Sequence, residues 1–169
     1  MPQQAIVSAD RAVGASEWIK GQRENMLSLL ADIVNIDSGS FDKPGVARVF
    51  RRLEAFFLSQ GLQVSPHFVD GVEAAISVTV NAGSTVGRPV LLMGHCDTVF
   101  PEGEAARRPF RIEGGRAYGP GVADMKSGIV MNAFLLAALA HSAEPAPEVT
   151  GLFTCAEEIG SPLSKSVIE

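Results

Sequence analysis

Aromatic side chains are scarce in this sequence, and tryptophan and tyrosine occur once each, as Trp18 and Tyr118. Sequence-tolerant binding of single-stranded nucleic acid needs exposed rings along a basic groove. Basic residues are also in deficit, 14 against 19 acidic ones, for a net charge of −5. Arginines cluster only in pairs, Arg51-Arg52 and Arg107-Arg108. No nucleic-acid partner is therefore expected. The two cysteines, Cys96 and Cys155, are too few for a disulfide framework and read as small buried residues in a reducing compartment. The longest strongly apolar run, Ile129 to Ala140, contains Asn132 and falls short of the roughly 20 residues that span a bilayer. Residues 1–16 hold no apolar signal-peptide core and no cleavage pattern. A cytoplasmic protein with no membrane partner is the expectation.

What is present is a chain of 169 residues, 46% hydrophobic, enough for one domain with a sizeable core. Residues 1–15 read as a flexible N-terminal arm and 16–169 as one folded unit. A helix is predicted from about Ser16, its cap, to Asn35, with Trp18, Met26, Leu27, Leu30, Ile33 and Val34 at helical spacing. Ile36 to Ser40 is turn chemistry. A second helix starts at Asp42-Lys43-Pro44-Gly45 and runs to about Ser59, with Gly61 as its stop. Strands follow at Leu62–Phe68, Ala74–Val80 and Val90–Met93, the last a continuous apolar run expected inside a sheet. Phe110–Tyr118 reads as a hairpin around Gly114-Gly115. A buried helix is predicted from about Met125 to His141, an interior strand from Val149 to Cys155, and a helix from Ser161, with Ser161 as cap and Pro162 at its first position. This order predicts an α/β fold with a mixed central sheet and helices on both faces.

Three stretches carry chemistry. His95 and Asp97 follow the apolar strand at Val90–Met93, and residues two apart on an extended chain point to the same side. One of them can bind a metal while the other orients it, because a metal-bound imidazole needs its second nitrogen hydrogen-bonded. Asp124 follows the rigid turn Gly119-Pro120-Gly121 and stands at the predicted N-cap of the buried helix, where a carboxylate can cap or bridge two cations. Glu157 and Glu158 end the last interior strand. Adjacent carboxylates diverge, so one can ligate a metal while the other takes a proton from metal-bound water. Histidine nitrogen with carboxylate oxygen is a donor set that suits zinc. His67, in a polar strand, and His141, at a helix end, read as incidental, and Lys126 as a solvated lysine at a helix start.

Taken together, Gly94-His95-Cys96-Asp97-Thr98-Val99, Tyr118-Gly119-Pro120-Gly121-Val122-Ala123-Asp124-Met125-Lys126-Ser127-Gly128 and Glu157-Glu158-Ile159-Gly160-Ser161-Pro162 resemble the dizinc metallopeptidase family of glutamate carboxypeptidase, acetylornithine deacetylase and succinyl-diaminopimelate desuccinylase. The likeness runs from Ile36 onward. Pro109-Phe110-Arg111 and Tyr118-Gly119-Pro120-Gly121 lean toward the glutamate carboxypeptidase branch. The resemblance implies a zinc-peptidase catalytic domain in which His95 ligates one zinc, Asp97 orients His95, Asp124 bridges both ions, Glu158 ligates the second and Glu157 is the general base. It implies two zinc ions, with cobalt or manganese as substitutes, and hydrolysis of an amide beside a free carboxylate in a small peptide or an N-acyl amino acid. Ala156 departs from the family pattern, in which an aspartate commonly precedes the glutamate pair.

Members of that family are roughly twice as long. The expectation is that these residues form the N-terminal part of the catalytic domain, without the lid and dimerisation domain or the C-terminal catalytic portion. Two readings follow: part of a carboxypeptidase or amidohydrolase, or a truncated, non-catalytic fragment or pseudo-enzyme with partial metal binding. A homo-oligomer formed through an uncovered sheet edge is a further expectation.

Overall fold

A computed structural model describes residues 14–169. The predicted arm lies outside the described residues up to position 13, whereas Gly14 and Ala15 already form the start of a helix. Helix α1 spans Ala15–Lys20, α2 Arg23–Val34 and α3 Lys43–Ser59. Strands β1 (Ser65–Val69), β2 (Val72–Val80) and β3 (Val90–His95) follow. The short α4 (Glu104–Arg107) leads to the hairpin β4 (Arg111–Glu113) and β5 (Arg116–Tyr118), then α5 (Ser127–His141), β6 (Val149–Thr154) and α6 (Lys165–Ile168).

The single helix predicted over 16–35 is two. Gly21 and Gln22 form a turn whose amides bond back to Trp18 and Ile19. Ser16 lies inside α1 rather than capping it, and Gly14 is the N-cap. The break lets α1 lie on α5, where Trp18 stacks on His141 at 5.1 Å and meets Phe134 at 6.1 Å. Tertiary ring contacts, which helical spacing does not reveal, decide this break. The last predicted helix is also shortened: Ser161 takes a left-handed conformation (φ 55°), and α6 starts only after Ser164.

The second helix forms as its sequence predicts. Asp42 accepts a hydrogen bond from the Gly45 amide at 2.9 Å, the N-cap interaction, and Pro44 occupies the first turn. A methyl group on Gly45 would stand 2.3 Å from the Asp37 carbonyl and still closer to the Asp42 carboxylate. Gly45→Ala is therefore expected to lower stability by about 1–3 kcal/mol through overpacking, and urea denaturation checks it. A midpoint equal to wild type would show that the Asp37 turn yields without cost.

The four-stranded sheet has the order β1-β2-β6-β3, with β1, β2 and β6 antiparallel in sequence of pairing and β3 parallel to β6. The α/β class and the mixed sheet are thus as read from the sequence. Among the described residues Val90–Met93 is not interior, however: β6 is, and β3 is an edge on which Val90, Leu91 and Met93 are exposed. A continuous apolar run marks a strand meant for burial on both faces but does not say which neighbours are in the same chain. Helices were expected on both faces. Among the described residues, α3 and α5 both meet β2 and pack on each other, which places them on one face. Ala74, Ile76, Val78, Val149 and Phe153 are buried beneath them with Val49, Phe50, Phe57, Ile129 and Phe134. The opposite face carries Thr79 and Thr150, whose hydroxyls bond across the strands at 2.8 Å. Residues 122–141 are long and apolar enough, by length and composition, to cross a bilayer, and here α5 is the central helix of the core.

Candidate metal centre

Parallel pairing of β3 with β6 creates the site. Register places His95 beside Thr154 at the carboxyl ends of both strands, and the Cys96 amide extends the ladder to the Thr154 carbonyl at 2.8 Å. The residues that leave β3 therefore meet those that leave β6. Functional groups gather at such strand ends in open α/β sheets.

Asp97 is the hub. It is fully buried, and its carboxylate accepts three hydrogen bonds from two segments and lies against the His95 imidazole. The Ser40 hydroxyl donates to Oδ2 at 2.6 Å, the Glu157 amide to Oδ1 at 3.0 Å and the Glu158 amide to Oδ2 at 3.2 Å. His95 Nδ1 lies 3.3 Å from Asp97 Oδ1 and 3.1 Å from the Asp97 carbonyl. Burial alone would push the Asp97 carboxyl up, but these donors outweigh it and hold it below its ordinary value. A buried carboxylate so surrounded stays ionised and fixes the turn that carries the glutamate pair.

With Nδ1 engaged, His95 turns Nε2 toward Asp124, whose Oδ1 is 3.2 Å away, and Glu157 Oε2 is at 3.7 Å. Burial acts to lower the His95 pKa, while the bonds to Asp97 and Asp124 and the charge of Glu157 raise it, to about 9. Donor atoms of His95, Asp124 and Glu158 all lie within 4.8 Å of one another. One imidazole nitrogen with two carboxylates is a donor set for a hard-to-borderline divalent ion such as zinc. Burial, the main influence on Glu158, raises its pKa.

The sequence places Asp124 as a helix cap, and this does not hold. Asp124 and Met125 have non-helical backbones (φ −126°, ψ 102° and φ −129°, ψ 36°) joined by a cis peptide bond, and α5 begins only at Ser127, with no side-chain cap. The Asp124 side chain is 77% exposed and free to face His95. Gly121, at φ 71°, brings the chain so close to Thr98 that a methyl group would stand 2.5 Å from its side chain.

Sequence reasoning passes over Ser40 and misreads Lys126. Ser40 reaches Asp97 because residues 38–40 pair with Thr98: the Thr98 amide donates to the Ser38 carbonyl at 2.9 Å, and the Ser40 amide to the Thr98 carbonyl at 3.1 Å. Its only local signal is the turn composition of Ile36–Ser40. Lys126, read as solvated, is 1% exposed; its ammonium donates to the carbonyls of Ile33 at 2.8 Å and Ile36 at 2.9 Å. It thereby adds a donor at the last turn of α2 and at the residue just beyond it, and ties that helix to the turn bearing Asp124. His67 and His141 are indeed away from the site, bonded to Ser77 and Gln60.

Burial pushes the Lys126 pKa down from its ordinary value to about 8. The unfolded chain thus binds more protons than the folded one between pH 8 and roughly 10.4, and this group makes stability rise with pH across that window. The stability difference between wild type and Lys126→Met is expected to shift by about 3 kcal/mol in favour of wild type between pH 7.5 and 10.5. Urea titrations of both proteins at the two values check it. A pH-independent difference would place the ammonium in water.

Residues 91–169 match the model of peptidase family M20/M25/M40. The chain is 34% identical over 148 residues to carboxypeptidase G2 of Pseudomonas sp. (strain RS-16), covering 85% of this chain and 35% of that protein. It is 32% identical over 136 residues to a putative succinyl-diaminopimelate desuccinylase of Mycobacterium tuberculosis, covering 80% of this chain and 36% of that protein. The chain therefore spans about a third of the length of the curated relatives it matches. Among solved structures, an M20 family metallo-carboxypeptidase from Sulfolobus solfataricus superposes with a TM-score of 0.68 at 20% identity, over 85% of this chain and 33% of that one. Human carnosine dipeptidase 1 superposes with a TM-score of 0.67 at 18% identity, over 88% of this chain and 35% of that one. At those identities the likeness shows the fold.

Proposed function

We propose that this chain, which belongs to peptidase family M20/M25/M40 by its residues 91–169, forms part of the metal centre of a hydrolase that cleaves an amide beside a free carboxylate. The substrate class is a C-terminal glutamate of a small peptide or an N-acyl amino acid. The observation that carries this reading is the convergence of His95, Asp124 and Glu158 within 4.8 Å, with the second nitrogen of His95 fixed by a buried aspartate.

The donor set fits zinc. His95 and Asp124 would hold one ion and Asp124 and Glu158 a second, with Asp124 shared. When bound, the metal supplies positive charge that polarises the scissile carbonyl and acidifies water. The chain's own residues do the rest. Asp97 fixes the ring of His95 and, through the two backbone amides, the turn of the glutamate pair. Glu157 is half exposed, with a carboxylate oxygen 3.7 Å from His95 Nε2, near enough to the donors to act as general base. It takes a proton from the attacking water and returns it to the leaving amine.

Two protein ligands per ion are fewer than the three that a catalytic zinc usually has. The 169-residue chain is thus expected to bind zinc weakly and to hydrolyse N-acyl-glutamate slowly. The two glutamates separate the roles. Glu158→Gln is expected to weaken zinc binding, whereas Glu157→Gln keeps zinc affinity and loses the remaining hydrolysis by a factor of about 100 or more. Calorimetry with zinc and a single-turnover assay measure the two. Equal loss of zinc affinity in both variants would overturn the assignment of Glu157 as base.

A further inference from the structure

A cleft of about 670 Å³ opens directly beside Glu158, between the loop at residues 39–44 and the segment that follows Asp97. Its apolar walls are Phe41, Pro44, Val99, Phe100, Pro101 and Ile159. Three of these are unusually exposed for their type: Phe41 at 85%, Val99 at 68% and Ile159 at 42%. Large apolar side chains gathered around one concavity, and left in water, mark a binding surface rather than a core. The cleft touches the proposed metal centre through Glu158, so a molecule whose reacting bond lies at the donors places one of its ends here.

Its charge is of one sign. The ionisable side chains on its lining are Asp42, Glu102 and Glu158, and no lysine, arginine or histidine is among them. Asp42 caps α3 and lies 3.7 Å from Arg48, so its charge is partly answered. Glu102 has no ion-pair partner among the described residues. Arg108 lies over the Phe100 ring at 4.9 Å and is paired with Glu104. A carboxylate entering the cleft would thus meet the unpaired Glu102 and apolar walls, with no cation on the lining to receive it.

We infer that this cleft is the subsite for the uncharged, apolar end of the substrate, a ring-bearing acyl group or side chain, and that it excludes the substrate's free carboxylate. This rests on the hydrolase reading and deepens it: of the two ends of an N-acyl amino acid, the acyl end faces Phe41 and Ile159, and the carboxylate points away, to a part of the site that lies elsewhere. Phe41 and Glu102 set the preference, Phe41 by covering the ring and Glu102 by repelling anions.

The test uses the metal-free 169-residue chain, so that it does not depend on metal binding or turnover. Backbone amide shifts of Ser40, Phe41, Val99 and Ile159 are followed on titration with benzamide and, separately, with benzoate. Benzamide is expected to move these amides saturably and to bind at least fivefold tighter than benzoate, which shares its ring. Phe41→Ala, a change at an exposed side chain, weakens benzamide at least threefold. Glu102→Lys raises benzoate affinity at least fivefold while leaving benzamide within twofold. Benzoate binding as tightly as benzamide, or neither probe moving the cleft amides at millimolar concentration, overturns the subsite. Zinc calorimetry on the same variants keeps the two readings apart. A wild-type chain that takes up no zinc yet binds the probes selectively would count against the metal centre alone, and zinc binding with no probe selectivity against the cleft alone.

Discussion

Replacing Asp97 by alanine is expected to cost about 3–5 kcal/mol of stability and to weaken zinc binding roughly 10–100-fold. The stability loss follows from what the carboxylate serves. The Ser40 hydroxyl and the amides of Glu157 and Glu158 all donate to it in a region closed to water. Removing the acceptor leaves these donors unpaired, and an unpaired buried donor costs about 1–3 kcal/mol. The loss of zinc affinity follows from the same contacts. His95 loses the group that holds its ring, and the turn that carries Glu158 loses its anchor. Asp97→Asn keeps the shape and one acceptor but presents an amide hydrogen to a backbone N–H, so it should fall between alanine and wild type. Ser40→Ala removes one of the donors and should cost about 1 kcal/mol. Urea denaturation and zinc calorimetry on the three variants measure both effects. A stable Asp97→Ala protein with wild-type zinc affinity would show that the hub is decorative.

The second large effect is on pH. Zinc uptake at pH 7 is expected to release about one proton per chain. The apparent affinity should then rise about tenfold per pH unit between pH 6 and pH 8. The cause is His95, raised to about 9 against the pull of burial by Asp97, Asp124 and Glu157, and so protonated across this range before metal arrives. A metal can use Nε2 only after the proton has left. The same shift has a consequence for the metal-free fold. A histidine whose folded pKa is raised adds stability that is complete below its unfolded value of about 6.5 and is lost as pH climbs through 9. Calorimetry in buffers of unlike ionisation enthalpy counts the proton. Identical heats in two such buffers would mean that His95 is neutral or is not a ligand.

The candidate site was legible in its ends but not in its middle. His95, Asp97, Glu157 and Glu158 stand at or just past strand ends, and Asp124 follows the turn Gly119-Pro120-Gly121, and those local marks survive in one dimension. Ser40 and Lys126 carry no such mark. Ser40 is 57 positions from the carboxylate it holds, and Lys126 is 93 from one of the carbonyls it meets, so their roles exist only once the chain has closed. Asp124 shows the opposite error. A carboxylate just ahead of an apolar helix reads as a cap, yet the backbone at Asp124 and Met125 is not helical, and the side chain faces His95 instead. The misread edge at Val90–Met93 has a third cause. Strand composition reports that a face is apolar, whereas the place of a strand in the sheet is set by its partners, and among the described residues β3 pairs with β6 alone.

The central claim is that His95, Asp124 and Glu158 form one metal centre. Isothermal titration of the metal-free chain with zinc, compared with His95→Ala, Asp124→Ala and Glu158→Ala, tests it most directly. The geometry predicts saturable binding in the wild type, at least tenfold weaker binding in each variant, and unchanged binding when the exposed Glu113, on the distant hairpin, is replaced by alanine. Zinc affinity indifferent to all three substitutions, or reduced as much by Glu113→Ala, would contradict it.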